Sequence, residues 1–159
     1  MSGMQTSLKF PLTYELKTLS EAQLITQEII QKLALQPRVY IGLLELLINA
    51  IEHGNLEIDY AQKTKLIEAK QWQQEIARRY TQTPYKDRFV KIVVDEIDNY
   101  YVITIEDQGA GFDWLHYTNV LGEVSEEKHG RGILIAQMIS FQQLEYLGKG
   151  NKVKCYLDK

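Results

Sequence analysis

Two strand-like runs, FVKIVVDE and YYVITIED, stand back to back with only Ile97, Asp98 and Asn99 between them, and the Asp98–Asn99 pair is good turn chemistry. These two residue types make tight reversals readily, so the runs predict neighbouring antiparallel strands. A parallel pair would need a crossover of a dozen or more residues, which excludes a doubly wound parallel fold here. The stretch QLEYLGKGNKVKCYLDK predicts a second hairpin, turning at Gly148 to Asn151. Val153, Cys155 and Leu157 alternate there with Lys152, Lys154 and Tyr156, which gives one buried and one exposed face. A further strand is expected between Ser7 and Lys17, edged by Pro11.

Helical patterning supplies the second layer. Ser20 is a plausible N-cap for a first helix, whose Ala22, Ile25, Ile29 and Leu33 form one apolar stripe. Pro37 ends that helix or opens the next, which is expected from Arg38 to His53 with Gly54 as a left-handed stop. Ile41, Leu44, Ile48 and Ile51 are expected to face the sheet and the first helix. A third amphipathic helix, with Leu66, Ala69, Trp72, Ile76 and Tyr80 at helical spacing, is expected in a helical insertion at about 56–88. Its stripe suits packing on the body of the fold or a partner or dimer surface. GRGILIAQMISF reads as a short apolar helix. The predicted fold is an α/β two-layer sandwich over residues 1–159, a single domain with a mixed, mainly antiparallel sheet covered by helices on one face.

Charge and composition narrow the function classes. A formal net charge of −3 gives no basis for nucleic-acid binding. No apolar run approaches the ~20 residues of a membrane span, and MSGMQTSLKF lacks a signal-peptide core. The single cysteine, Cys155, leaves no internal disulfide to form and suits a reducing cytoplasm.

Chemistry enters with the helix GLLELLINAIEHGN. Glu45, Asn49 and His53 recur every four residues, a file that winds only about 40° per step. Such a file suits either the solvated edge of a core helix or the wall of a site. Just past the second strand, DQGAGFD sets Asp107 beside Gly109 and Gly111, residues that let a ligand approach the backbone. Asp107 can also serve as a turn acid that bonds its own backbone. Further on, HGRGI sets Gly130 and Gly132 at a helix start, where N–H groups and the helix dipole favour phosphate.

Taken in this order, ELLINAIEHGN, DQGAG and HGRG resemble the N-box and two glycine boxes of the Bergerat ATP-binding fold, the GHKL superfamily. The likeness spans nearly the whole chain and is greatest to the bacterial anti-sigma-factor serine/threonine kinases. That resemblance implies a domain binding ATP and Mg²⁺, with Asn49 as metal ligand and Glu45 as the base accepting the substrate hydroxyl's proton. Glu52 is the neighbouring alternative for the base. His53 would either cap its helix or support the metal site. Asp107 would accept a hydrogen bond from the adenine amino group, Gly109 and Gly111 would line the base pocket, and Gly130 and Gly132 would seat phosphates beneath an ATP lid at about 112–129. Lys128 and Arg131 would meet the γ-phosphate or stand as solvated lid charges. Lys128 departs from the branch, which usually carries arginine at that place, and lysine lacks arginine's bidentate fork. The insertion at 56–88 is a second departure. The implied partner is a small anti-anti-sigma (STAS-type) protein, with a sigma factor and a homodimer as further possibilities. A nucleotide-gated protein-binding module without phosphotransfer is the alternative function.

Overall fold

The computed structural model describes residues 7–111 and 132–159. Five strands, β1 (Leu12–Leu16), β2 (Val90–Ile97), β3 (Tyr100–Glu106), β4 (Gln143–Leu147) and β5 (Lys152–Asp158), form one open sheet in the order β1-β2-β3-β5-β4. Each of the four neighbouring pairs is antiparallel, so the sheet is not mixed among the described residues. The β2–β3 reversal falls at Asp98 and Asn99, with Ile97 opposite Tyr100 and Asp98 at φ 53°. β4 and β5 form the second hairpin, and Gly148 and Gly150 supply positive φ in its turn.

Register makes the sheet two-faced. Ile92 pairs with Ile105, Val94 with Ile103, Ile103 with Cys155, and Ile105 with Val153, so one row of buried side chains crosses three strands. Lys91, Thr104 and Lys154 share the opposite face, which no described helix covers. On the buried face lie α1 (Leu19–Lys32) and α2 (Arg38–Asn49), with a short helix α5 (Gly132–Ile135) against α2. This is the two-layer α/β arrangement that the strand and helix patterns predict.

Local chemistry explains the helix limits and revises some of them. Thr18, not Ser20, caps α1: its hydroxyl accepts from the Glu21 amide at 3.2 Å, and the Glu21 carboxylate reaches back to the Thr18 amide at 3.2 Å. This reciprocal pair outcompetes a cap two residues later because it satisfies two orphan donors at once. α2 buries Val39, Leu43, Leu46 and Leu47, whereas Ile41 is 45% exposed. The core stripe is therefore turned from the predicted one, with Ile51 alone of the four expected residues fully buried. At Gly42 an added Cβ would lie 2.2 Å from the Ser140 hydroxyl, so the absent side chain lets the turn after α5 press on α2.

The expected third helix is two. α3 (Tyr60–Glu68) starts at an Asp59–Gln62 capping box, and Lys70, at φ 58°, turns the chain before α4 (Trp72–Tyr80) begins. The amide of Gln71 bonds the Leu66 carbonyl at 2.8 Å across that turn. Neither helix buries a residue fully, although Leu66, Trp72, Ile76 and Tyr80 pack against the core. Four of the five predicted stripe residues thus face the body of the fold, while Ala69, next to the turn at Lys70, is exposed; the periodicity hid the break because the turn keeps the other four on one side. Among the described residues, no helix is long and apolar enough to cross a membrane.

Candidate functional site

α2 does not stop at Gly54. It widens into a π-helical turn over Ala50–Asn55, where the Leu56 amide bonds the Ile51 carbonyl five residues back at 2.9 Å. Gly54 is absent from the positive-φ positions, so it is not a left-handed stop. Its role is steric. An added Cβ there would sit 2.4 Å from the Asp107 carboxyl carbon. A Cβ on Gly109 would meet the Gly54 carbonyl oxygen at 2.1 Å. Helix end and strand end therefore touch through Gly54, Asp107 and Gly109, at a distance only glycine permits.

Asn55 locks the same junction. Its side-chain oxygen accepts the Gln108 amide at 2.7 Å, its carbonyl accepts from Arg88 at 2.8 Å, and the Gln108 side chain accepts the Phe89 amide at 2.9 Å. Sequence reasoning included Asn55 in the helix motif but gave it no task; an asparagine directly after a glycine at a helix end was the available signal. Asn55→Ala would leave the Gln108 amide without that acceptor and is expected to cost about 1–3 kcal/mol, read by urea unfolding.

Beside this junction a narrow cleft opens between the helix layer, the end of β3 and the closing hairpin. Asn49 and His53 line it from the helix side, Asp107 and Gly111 from the end of β3, and Tyr146, Asn151 and Val153 from the closing hairpin. Two predicted site residues from each of two distant motifs thus share one cavity. Gly111, at φ 87°, passes so close to the hairpin turn that a Cβ would lie 2.1 Å from the Lys149 carbonyl oxygen.

Asp107 carries the most distinctive electrostatics. Burial raises its carboxyl from 3.8 to about 6; the Gly109 amide, Lys149 and Arg88 oppose the rise, and Glu106 adds to it. One carboxylate oxygen accepts the Gly109 amide at 2.9 Å, the local turn bond expected of an acid in this position. The other makes no hydrogen bond among the described residues. The main chain of Asp107 is held by Asn151 in both directions, through its amide at 2.9 Å and its carbonyl at 3.1 Å. Asp107 is therefore a turn acid whose second oxygen is unbonded among the described residues.

At the helix side, the Asn49 Nδ2 is buried and has no hydrogen-bond partner among the described residues. The Nδ1 of His53 donates to the Ile58 carbonyl, which braces the chain beyond the π turn, and the ring lies on Tyr60 with centroids 3.9 Å apart. That bond is not a cap of α2, because Ile58 lies beyond the π turn.

Glu45 is half-buried on α2, one turn before Asn49, and is not among the residues lining the cleft. Glu52 is turned away from the cleft altogether. It pairs with Lys63 at 2.6 Å and borders a separate groove with Ile48, Ile51, Trp72 and Ile76. Burial raises its carboxyl and Lys63 opposes that rise. Gly132 is the first residue of α5; Lys128, Gly130, Arg131 and the lid at about 112–129 lie outside the described residues.

No protein-family model and no curated protein sequence matches this chain. Among the described residues no three His, Cys, Asp or Glu side chains converge to hold a metal ion. A divalent ion would have to arrive with a phosphate ligand and take an amide oxygen, and a half-buried asparagine in a cleft fits that hard-cation chemistry.

Proposed function

We propose that this chain is a Bergerat-fold, Mg-ATP-binding serine/threonine protein kinase and anti-sigma factor of a bacterial partner switch, acting on a STAS-type anti-anti-sigma protein. The observation that carries the reading is that Asn49 and Asp107, 58 residues apart in sequence, line one cleft together with Gly54, Gly111 and Gly150. The neutral amide of Asn49 would take the magnesium ion, and the buried carboxylate of Asp107 would accept the adenine amino group. Guanine presents a carbonyl at that place and would be repelled by the same oxygen. Magnesium, when bound with ATP, supplies neutralisation of the charge developing on the phosphoryl oxygens.

The chain's own residues do the remainder. Gly54 and Gly109 let the helix end and the strand end close together around Asp107, and Asn151 fixes the backbone of Asp107. Glu45 takes the proton from the substrate hydroxyl as that oxygen bonds to the γ-phosphorus. The bond to the bridging β–γ oxygen then breaks, and ADP leaves. Phosphoryl transfer depends mainly on positioning, so a single base is the only proton acceptor the step asks of the protein.

The position of Glu45 off the cleft lining favours a second reading, a nucleotide-gated module that exchanges partners without transferring phosphate. One experiment separates the two: incubation with γ-labelled ATP and STAS proteins from the same genome. Label on a partner serine or threonine is the expected result, and Glu45→Gln should lower its rate about 100-fold or more while leaving nucleotide affinity unchanged. Nucleotide-dependent association without label selects the binding module. Absence of nucleotide binding overturns both.

A further inference from the structure

The insertion between α2 and β2 reaches into the cleft at one residue. Tyr60, the first residue of α3, lines the cavity together with Asn49 and His53. Its ring packs on the His53 imidazole at 3.9 Å between centroids, tilted by 39°. Its hydroxyl lies 3.5 Å from the Asn49 Oδ1 as donor. The helix that carries it is fixed at both sides of this contact. Asp59 and Gln62 form the capping box around Tyr60, and one turn on, Lys63 pairs with Glu52 of the π-helical turn at 2.6 Å.

We infer that Tyr60 is a positioning residue for the nucleotide cleft, holding the Asn49 amide oxygen toward a cation and the His53 ring beside it. This rests on the nucleotide reading above and makes the insertion part of the site. The chemistry turns on the two arms of an amide. The oxygen has two lone pairs, so one can accept from the Tyr60 hydroxyl while the other meets a cation. The nitrogen arm is buried and has no hydrogen-bond partner among the described residues, so it gives the amide no preferred orientation of its own. A turned amide would present N–H donors to a cation and repel it. A phenol hydroxyl donates more readily than it accepts, so its bond favours the orientation with oxygen toward Tyr60. The sequence alone could not show this, because Tyr60 is 11 residues from Asn49 and lies across a π-helical turn and a loop.

Ring and hydroxyl are separable by substitution. Tyr60→Phe keeps the ring against His53 and removes the donor; Tyr60→Leu removes both. Calorimetric titrations would measure ATP affinity with EDTA and across a magnesium series, alongside melting temperature and the His53 ring proton shifts by NMR. The expected result for Tyr60→Phe is a three- to tenfold loss of affinity in saturating magnesium. Affinity in EDTA and the His53 shifts should stay unchanged. Tyr60→Leu should add a His53 shift change and a loss of affinity in EDTA, both restored in the Phe variant. Equal magnesium dependence in wild type and Tyr60→Phe overturns the inference and leaves the nucleotide reading intact. A fall in affinity that follows melting temperature equally with and without magnesium also overturns it, in favour of a purely structural role. A wild-type chain that binds no ATP in any condition overturns both, since nothing would remain for Tyr60 to position.

Discussion

Asp107→Ala is expected to weaken ATP binding about 10- to 100-fold and to leave ATP and GTP bound with similar affinity. The loss is that of a charge-assisted hydrogen bond in a desolvated place, worth about 1.5–3 kcal/mol. Calorimetry with both nucleotides reads it directly, and undiminished discrimination in the variant would remove Asp107 from the adenine contact. Under the proposed nucleotide reading, the same carboxyl should give the free protein and its complex with ATP opposite responses to pH. Burial raises it from 3.8 to about 6, so between those values the folded chain holds a proton that the unfolded chain has released. Stability from this group is therefore greatest below about pH 4 and falls as pH rises through 6. The full difference is at most about 3 kcal/mol for a shift of about two units. Nucleotide recognition needs the ionised form, so ATP affinity should rise from pH 5 to pH 7, by up to about tenfold per unit below 6. Asp107→Asn should flatten both curves. Melting temperature and affinity that climb together with pH would contradict the assignment.

The second large effect is steric. Gly109→Ala is expected to lower stability by about 1–3 kcal/mol and to abolish nucleotide binding. Its new methyl group would have to sit 2.1 Å from the Gly54 carbonyl oxygen and 3.1 Å from an Asp107 carboxylate oxygen. The first obstacle is backbone, which cannot rotate aside as a side chain can. Relief must come from parting the π-helical turn from the end of β3, and that movement displaces Asp107 from the cleft. Gly148→Ala is the fitting control. Nothing lies within 4 Å of its added Cβ, so that variant carries only the backbone strain of its positive φ, 59°. Urea unfolding and calorimetry on the pair would separate the two causes. Wild-type binding by the Gly109 variant would show that helix and strand ends are not held together as the contact distances require.

The strands were the most legible part of this chain. Period-two alternation in β5 and the Asp98–Asn99 turn each express a constraint that acts within a few residues. Helix limits were less legible, because competing local signals sit within two residues of one another. Ser20 looks as good a cap as Thr18 until the reach of Glu21 is known, and an unbroken apolar stripe conceals the turn at Lys70. Gly54 was misread for a different reason. Its usual meaning at a helix end is a left-handed stop, and here it marks contact with Asp107, a residue 53 positions away. The candidate site shows the same division. Residue types at Asn49 and Asp107 were visible in the chain, whereas Asn55 and Tyr60 acquire their tasks only from neighbours brought in by folding.

By itself, the amino-acid order determined an antiparallel sheet with helices over one face, and it marked which polar residues stand out against an apolar background. Those properties follow from side-chain periodicity and turn chemistry, which are local. Only the tertiary structure decided that Asn49 and Asp107 share a cleft, that Glu52 turns to Lys63 outside it, and that Tyr60 enters it. Such facts depend on how a π-helical turn meets a strand end across glycines, and no short window of sequence contains both sides of that contact.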